Sequence, residues 1–87
     1  MDSYQIEWRR STKKDLRKIP SKEILRVIAV VESLAINPFP PGSTKLSGSE
    51  QSYRIRVGDY RILYDVHSGF LVIEVIKVGH RKDVYKS

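Results

Sequence analysis

Residues 53–66 read Tyr53-Arg54-Ile55-Arg56-Val57-Gly58-Asp59-Tyr60-Arg61-Ile62-Leu63-Tyr64-Asp65-Val66, and the alternation on either side of Gly58-Asp59 decides the fold. Successive side chains of a strand point to opposite faces, so Tyr53, Ile55 and Val57 share one face while Arg54 and Arg56 share the other. Gly58-Asp59 is a two-residue hairpin connection with glycine where positive φ is required. In the returning strand Tyr60, Ile62, Tyr64 and Val66 repeat the apolar row, which sends Arg61 to the face of Arg54 and Arg56. One hairpin therefore presents three guanidinium groups on one surface and a core-forming row on the other.

Beyond it, Ser68-Gly69 reads as the next tight turn, and Phe70 to Val78 as a strand apolar on nearly both faces, which places it in the interior of a sheet. Upstream, Phe39 to Ser52 shows no sustained period and is the longest loop, with Lys45-Leu46 as a short extended piece inside it. Before the loop, Ile24, Val27, Ile28, Val31, Leu34 and Ala35 recur at three- and four-residue steps, the stripe of an amphipathic helix. Ser21 is the expected cap of that helix, Leu25, Val30 and Ile36 widen its apolar front, and Asn37-Pro38 stops it. Arg9 to Ile19 forms a shorter basic helix, with Ser11 or Thr12 as its expected cap and Pro20 as its end. The brief connection between the two implies an antiparallel helical hairpin. Tyr4 to Trp8 alternates again and is a strand.

The expectation is a single α+β domain over residues 1–87. An N-terminal strand and a helical hairpin precede a three-stranded antiparallel meander, with the helices covering one face of one sheet and the other face open. Such a chain, with 87 residues, has room for one hydrophobic core. It contains no cysteine, which excludes a disulfide framework, a thiolate metal site and a cysteine nucleophile. The N-terminus lacks the basic and then apolar run of a secretory signal, and no apolar stretch reaches membrane-spanning length, so a cytoplasmic location is expected. A net charge of +6 suits a polyanion or an acidic protein partner, provided the cations gather on one surface.

The meander does gather them. Like charges on neighbouring strands cost stability, so the cluster of Arg54, Arg56 and Arg61 invites an anion, and phosphate fits the planar fork of arginine. After Gly79-His80, the tail residues Arg81, Lys82 and Tyr85 are expected along the edge of the same open face. There Tyr85 would stack on a base, which favours RNA over duplex DNA. His67, beside a turn, reads as a solvated hairpin residue, and two widely spaced histidines make a weak case for metal. No metal and no cofactor is expected.

Lys45-Leu46-Ser47-Gly48, the stretch Tyr53 to Tyr64, and Val78-Gly79-His80-Arg81-Lys82-Asp83-Val84-Tyr85 together resemble the successive signatures of RelE/ParE toxins, over essentially the whole chain. The resemblance implies the toxin of a type II toxin-antitoxin system, a ribosome-dependent endoribonuclease acting on mRNA and silenced by an acidic, RelB-like antitoxin. It also implies site residues, namely Arg54 and Arg56 from the first strand of the hairpin, Arg61 from the second, and Arg81 and Tyr85 after the last strand. The best-known RelE enzymes carry lysines where this chain has Arg54 and Arg56, and arginine does not give up its proton. Those two residues are therefore expected to act electrostatically.

The mechanism expected of these side chains is in-line attack by a 2′-hydroxyl on the adjacent phosphorus, leaving a 2′,3′-cyclic phosphate and a 5′-hydroxyl. Arg56 and Arg61 would stabilise charge on the non-bridging oxygens, Arg81 would lie near the leaving oxygen, and Tyr85 would orient the base by stacking or assist proton transfer. Arg54, Lys45 and Lys82 would bind RNA, and His80 is the candidate acid or base. Two other readings stand beside this one. One is a ParE-like toxin acting on DNA gyrase, and the other a basic RNA-binding module without catalysis.

Overall fold

A computed structural model describes residues 3–82, so Tyr85 and its expected role lie outside the described residues. The elements are β1 (Gln5–Trp8), α1 (Arg10–Arg17), α2 (Ser21–Ser33), β2 (Thr44–Lys45), β3 (Ser52–Val57), β4 (Tyr60–His67) and β5 (Val72–His80). They build a five-stranded sheet in the order β1-β5-β4-β3-β2. Strands β2 to β5 pair antiparallel, and β1 joins β5 in parallel. The sheet is thus mixed, and β5 is interior along the length that β1 covers, as its two-faced apolar character requires.

The inward rows come from the alternation. Ile55 and Val57 of β3, Ile62, Tyr64 and Val66 of β4, and Ile73, Val75 and Val78 of β5 are buried against Val27, Val31 and Leu34 of the α2 segment. Full burial of a Val or Leu side chain contributes about 1.5–3 kcal/mol, so these three positions, with the partly buried Ile24 and Val30 beside them, hold the helix to the sheet. Leu25 and Ile36 are 71% and 75% exposed, so they do not widen the stripe as expected. Each lies off the face that Val27, Val31 and Leu34 define.

Neither expected helix cap is used. Arg9 is the cap position of α1, because its N–H still bonds Val75 O at 3.0 Å and the helix begins directly off the end of β1. Thr12 lies inside the helix, fully buried, with its hydroxyl bonded back to Arg9 O. For α2 the cap position is Pro20, whose carbonyl accepts from Glu23 and Ile24 at 2.9 and 3.0 Å. Beyond the end of β1, α1 takes over the exposed edge of β5, where the Asp15 carboxylate accepts from the Val78 N–H at 3.1 Å. That bond closes a strand edge that would otherwise offer an open donor.

Two turns set the rest. Gly58 has φ +59 and makes the β3–β4 hairpin as expected. In the β4–β5 connection the left-handed residue is Leu71, at φ +55, not Gly69, and β5 starts two residues later than the sequence implies. The long loop is tied down by the buried Tyr64, whose hydroxyl donates to Pro38 O at 2.8 Å. Burial raises the Tyr64 pKa above its ordinary value, because the ionised phenolate would have to leave water.

Candidate nucleic-acid interface

The face of the sheet away from the helices carries the charge. In β3 the buried Ile55 and Val57 alternate with Arg54 and Arg56, and in β4 Arg61 lies between Tyr60 and the buried Ile62. Arg56 and Arg61 stand directly opposite each other across the hairpin, and Arg54 is two residues back on the same face. The three line one shallow cleft of about 170 Å³ together with Gly42 and Thr44. Its described lining contains three guanidinium groups and no carboxylate.

Thr44 is a wall that the alternation did not announce. It pairs with Arg54, while Lys45 pairs with Tyr53. Directly opposite residues share a face, so Lys45 is directed to the helix side of the sheet and Thr44 to the arginine side. The structure therefore does not bring Lys45 to the cleft. The neighbouring sequence gives Lys45 the charge and Thr44 none, and only the pairing register separates them.

Gly79 of β5 stands directly opposite Arg61, so the position facing Arg61 on the next strand carries no side chain. Arg81 follows at the same end of the sheet, its N–H bonding Asp59 O at 2.8 Å beside the hairpin turn. It is exposed and is near the cleft in the backbone sense, though outside the cleft's described lining. Lys82 is also exposed.

His80 is placed elsewhere. It pairs with Tyr60, meets that ring edge-on at 5.7 Å between centroids, and lines a separate cavity of about 500 Å³ with Asp15, Lys18 and Ile19. Its Nδ1 accepts from the Lys82 N–H at 3.2 Å. The acid or base candidate thus sits on the opposite side of the sheet from the arginines. The cause is a register irregularity, since Leu63 pairs with Lys77 but Tyr64 with Val75. One extra residue in β5 reverses the parity of everything after it. Without it, His80 would point to the arginine face and Gly79 to the core.

The chemistry open to the cleft is electrostatic. Arginine remains protonated throughout the accessible range and can hold the oxygens of a tetrahedral phosphorus bidentately. The described lining holds no group that takes up a proton near neutral pH. At the far end of the same face, Asp65 accepts from the Ser52 hydroxyl. There Glu74 lies 3.3 Å from Arg9 Nε and 3.3 Å from His67 Nε2. His67 is therefore a half-buried partner of Glu74 and not a solvated hairpin residue. The donor atoms of Asp65, His67 and Glu74 all lie within 4.8 Å of one another.

Comparison with known proteins identifies the family and the fold. Residues 6–85 match the model of a family described as the ParE toxin of the type II toxin-antitoxin system parDE. Toxin RelE3 of Methanocaldococcus jannaschii is 33% identical over 76 residues, covering 83% of this chain and 84% of its own. The RelE-RelB complex of Pyrococcus horikoshii OT3 superimposes with a TM-score of 0.82 at 28% identity, over 94% of this chain and 99% of that one. The intact E. coli RelBE toxin-antitoxin complex gives a TM-score of 0.78 at 25% identity, over 90% and 96%.

Proposed function

This chain belongs to the ParE toxin family of type II toxin-antitoxin systems, and from that membership we propose that it is a RelE-like endoribonuclease cutting mRNA on the ribosome. The observation that carries the proposal is the convergence of Arg54, Arg56 and Arg61 on one cleft whose described lining holds no carboxylate. A surface that served only as a docking scaffold has no need of that convergence, because like charges facing each other across strands are unfavourable.

In the proposed reaction the ribose 2′-oxygen attacks the adjacent phosphorus and the bond to the 5′-oxygen breaks, giving a 2′,3′-cyclic phosphate and a 5′-hydroxyl. The 2′-hydroxyl loses a proton and the departing oxygen gains one. Negative charge grows on the non-bridging oxygens as the new bond forms. Arg56 and Arg61, fixed opposite each other by the hairpin, stabilise that charge more in the transition state than in the ground state. Arg54 holds a flanking phosphate beside Thr44. Arg81 is assigned to the leaving oxygen and Tyr85 to stacking on the base. The reaction as proposed uses no metal and no cofactor, and it takes place in the cytoplasm.

The proposed partner is an acidic antitoxin of the RelB kind, as in the complexes of P. horikoshii and E. coli named above. The net charge of +6 and the exposed Arg10, Lys13, Lys14 and Arg17 of α1 favour such an encounter electrostatically.

A second reading follows from the family description, which names ParE, and it takes DNA gyrase as the target. Supplying the purified chain to translating ribosomes and mapping mRNA ends separates the two. Cuts within translated codons that disappear with Arg61→Ala or Arg81→Ala, while the folded variants still bind antitoxin, support the nuclease. Intact mRNA together with gyrase-dependent DNA breaks supports the other target. RNA binding without any cut supports a non-catalytic module.

A further inference from the structure

The open face is divided along its strands, and the division bears on how RNA can cross it. The first cross-strand row holds Arg56, Arg61 and Gly79. Four residues further along β4, another row runs through Ser52, Asp65, Glu74 and Glu7, each directly opposite the next across β3, β4, β5 and β1. Asp65 lies between buried Tyr64 and Val66, Glu74 between buried Ile73 and Val75, and Glu7 between the core-packed Ile6 and Trp8. All three carboxylates therefore share the face of the arginines. Against them stand the guanidinium of Arg9 and the imidazole of His67, both on Glu74.

Carboxylates placed directly opposite one another on adjacent strands are unfavourable, as the arginines are. The same sheet thus carries two like-charged rows of opposite sign, roughly 13 Å apart at the rise of a strand. That spacing exceeds the screening length of about 8 Å at physiological ionic strength, so each row acts mainly on what lies directly above it.

We propose that the ladder Glu7–Glu74–Asp65 is a specificity-determining boundary, which confines a bound RNA to the turn end of the sheet. It directs the backbone across the strands, over Arg61, Arg56, Arg54 and Thr44, instead of along them. This inference rests on the reading of the arginine cleft as an RNA site. Phosphates at the turn end meet guanidinium groups, while a phosphate carried along β4 and β5 passes Lys77, itself 3.9 Å from the Asp15 carboxylate, and then meets Asp65 and Glu74, with Glu7 beside them on β1. The protein therefore engages a short run of nucleotides, and added length brings no further attraction.

The test measures binding of 2′-O-methyl oligoribonucleotides, which cannot supply the attacking hydroxyl, one of about four nucleotides and one of about twelve, across a salt series. EDTA is present, because a divalent cation held by Asp65, His67 and Glu74 would mask their charge. The wild-type chain is expected to bind both lengths with similar affinity and the same salt slope. In Asp65→Asn/Glu74→Gln the longer oligonucleotide tightens by roughly threefold or more, the shorter one changes little, and the slope for the longer steepens by about 0.7 for each phosphate gained. Glu7→Gln, an exposed position, should give a smaller change in the same direction without risk to the fold. Equal tightening of both lengths, or no change in either, overturns the boundary while leaving the arginine site intact. If Arg56→Gln/Arg61→Gln binds the short oligonucleotide as well as the wild type does, the RNA reading itself fails, and the boundary with it.

Discussion

Arg56 and Arg61 face each other across the β3–β4 hairpin, so removing one charge should improve the fold and damage the chemistry. The perturbation is Arg56→Gln, which keeps a polar side chain of comparable reach at an exposed strand position. Cβ atoms of directly opposite residues lie about 5 Å apart, and two unit charges roughly 6 Å apart with the dielectric of bulk water around them repel by about 0.5 kcal/mol at low salt. For a domain of this size that relief is worth a rise of about 2–4 °C in the midpoint of thermal unfolding. The gain should vanish near 1 M salt, where the screening length falls to about 3 Å. Loss of a prepositioned charge at the reacting phosphate lowers the rate of mRNA cleavage by about 10²–10³. The assays are thermal melts at low and high salt, and single-turnover cleavage on translating ribosomes with the same preparation. A fall of several degrees in the melting point at both salts would refute the reasoning, because Arg56 would then be a structural residue. So would a salt-dependent rise accompanied by unchanged cleavage.

Other consequences are equally direct. Leu34→Ala empties a fully buried position in the α2 segment and should cost about 2–5 kcal/mol, read from the denaturant midpoint. Asp15→Ala removes the acceptor for the Val78 N–H and the 3.9 Å partner of Lys77 Nζ. It should cost about 1–3 kcal/mol in chemical unfolding and increase self-association in light scattering, since the edge of β5 is opened. Tyr64 holds its proton more tightly when folded than when unfolded. Its contribution to stability is thus complete below the unfolded tyrosine pKa and is lost as pH rises from there through the folded value. Tyr64→Phe should lose about 1 kcal/mol at neutral pH with the bond to Pro38 O, yet decline less steeply in alkaline melts.

Much of this was legible in the residues because two periods run cleanly. The β3–β4 hairpin has a glycine at its turn and an unbroken alternation, so the shared face of Arg54, Arg56 and Arg61 follows from counting. The stripe through Val27, Val31 and Leu34 likewise places α2. The misses share a cause, which is that contacts between elements decide what local pattern leaves open. An extra residue in β5 turned His80 toward Tyr60 and put Gly79 opposite Arg61, and no local signal marks it in Ile76-Lys77-Val78. Pairing register sent Thr44, and not Lys45, to the cleft. Ser11 and Thr12 looked like caps by type, but the bond from Arg9 to β5 starts α1 before either. The acidic ladder was invisible until Glu7, Glu74 and Asp65, far apart in sequence, were aligned by the sheet.

The open face, and not basic charge in general, is assigned the chemistry, and one comparison isolates that. Arg56→Gln/Arg61→Gln and Arg10→Gln/Arg17→Gln each remove two positive charges, the first from the sheet face and the second from exposed positions on α1. Both are assayed for mRNA cleavage on translating ribosomes. Abolished cleavage in the first with near-normal cleavage in the second is the predicted result. Equal losses in the two, or loss only when α1 is altered, would contradict it.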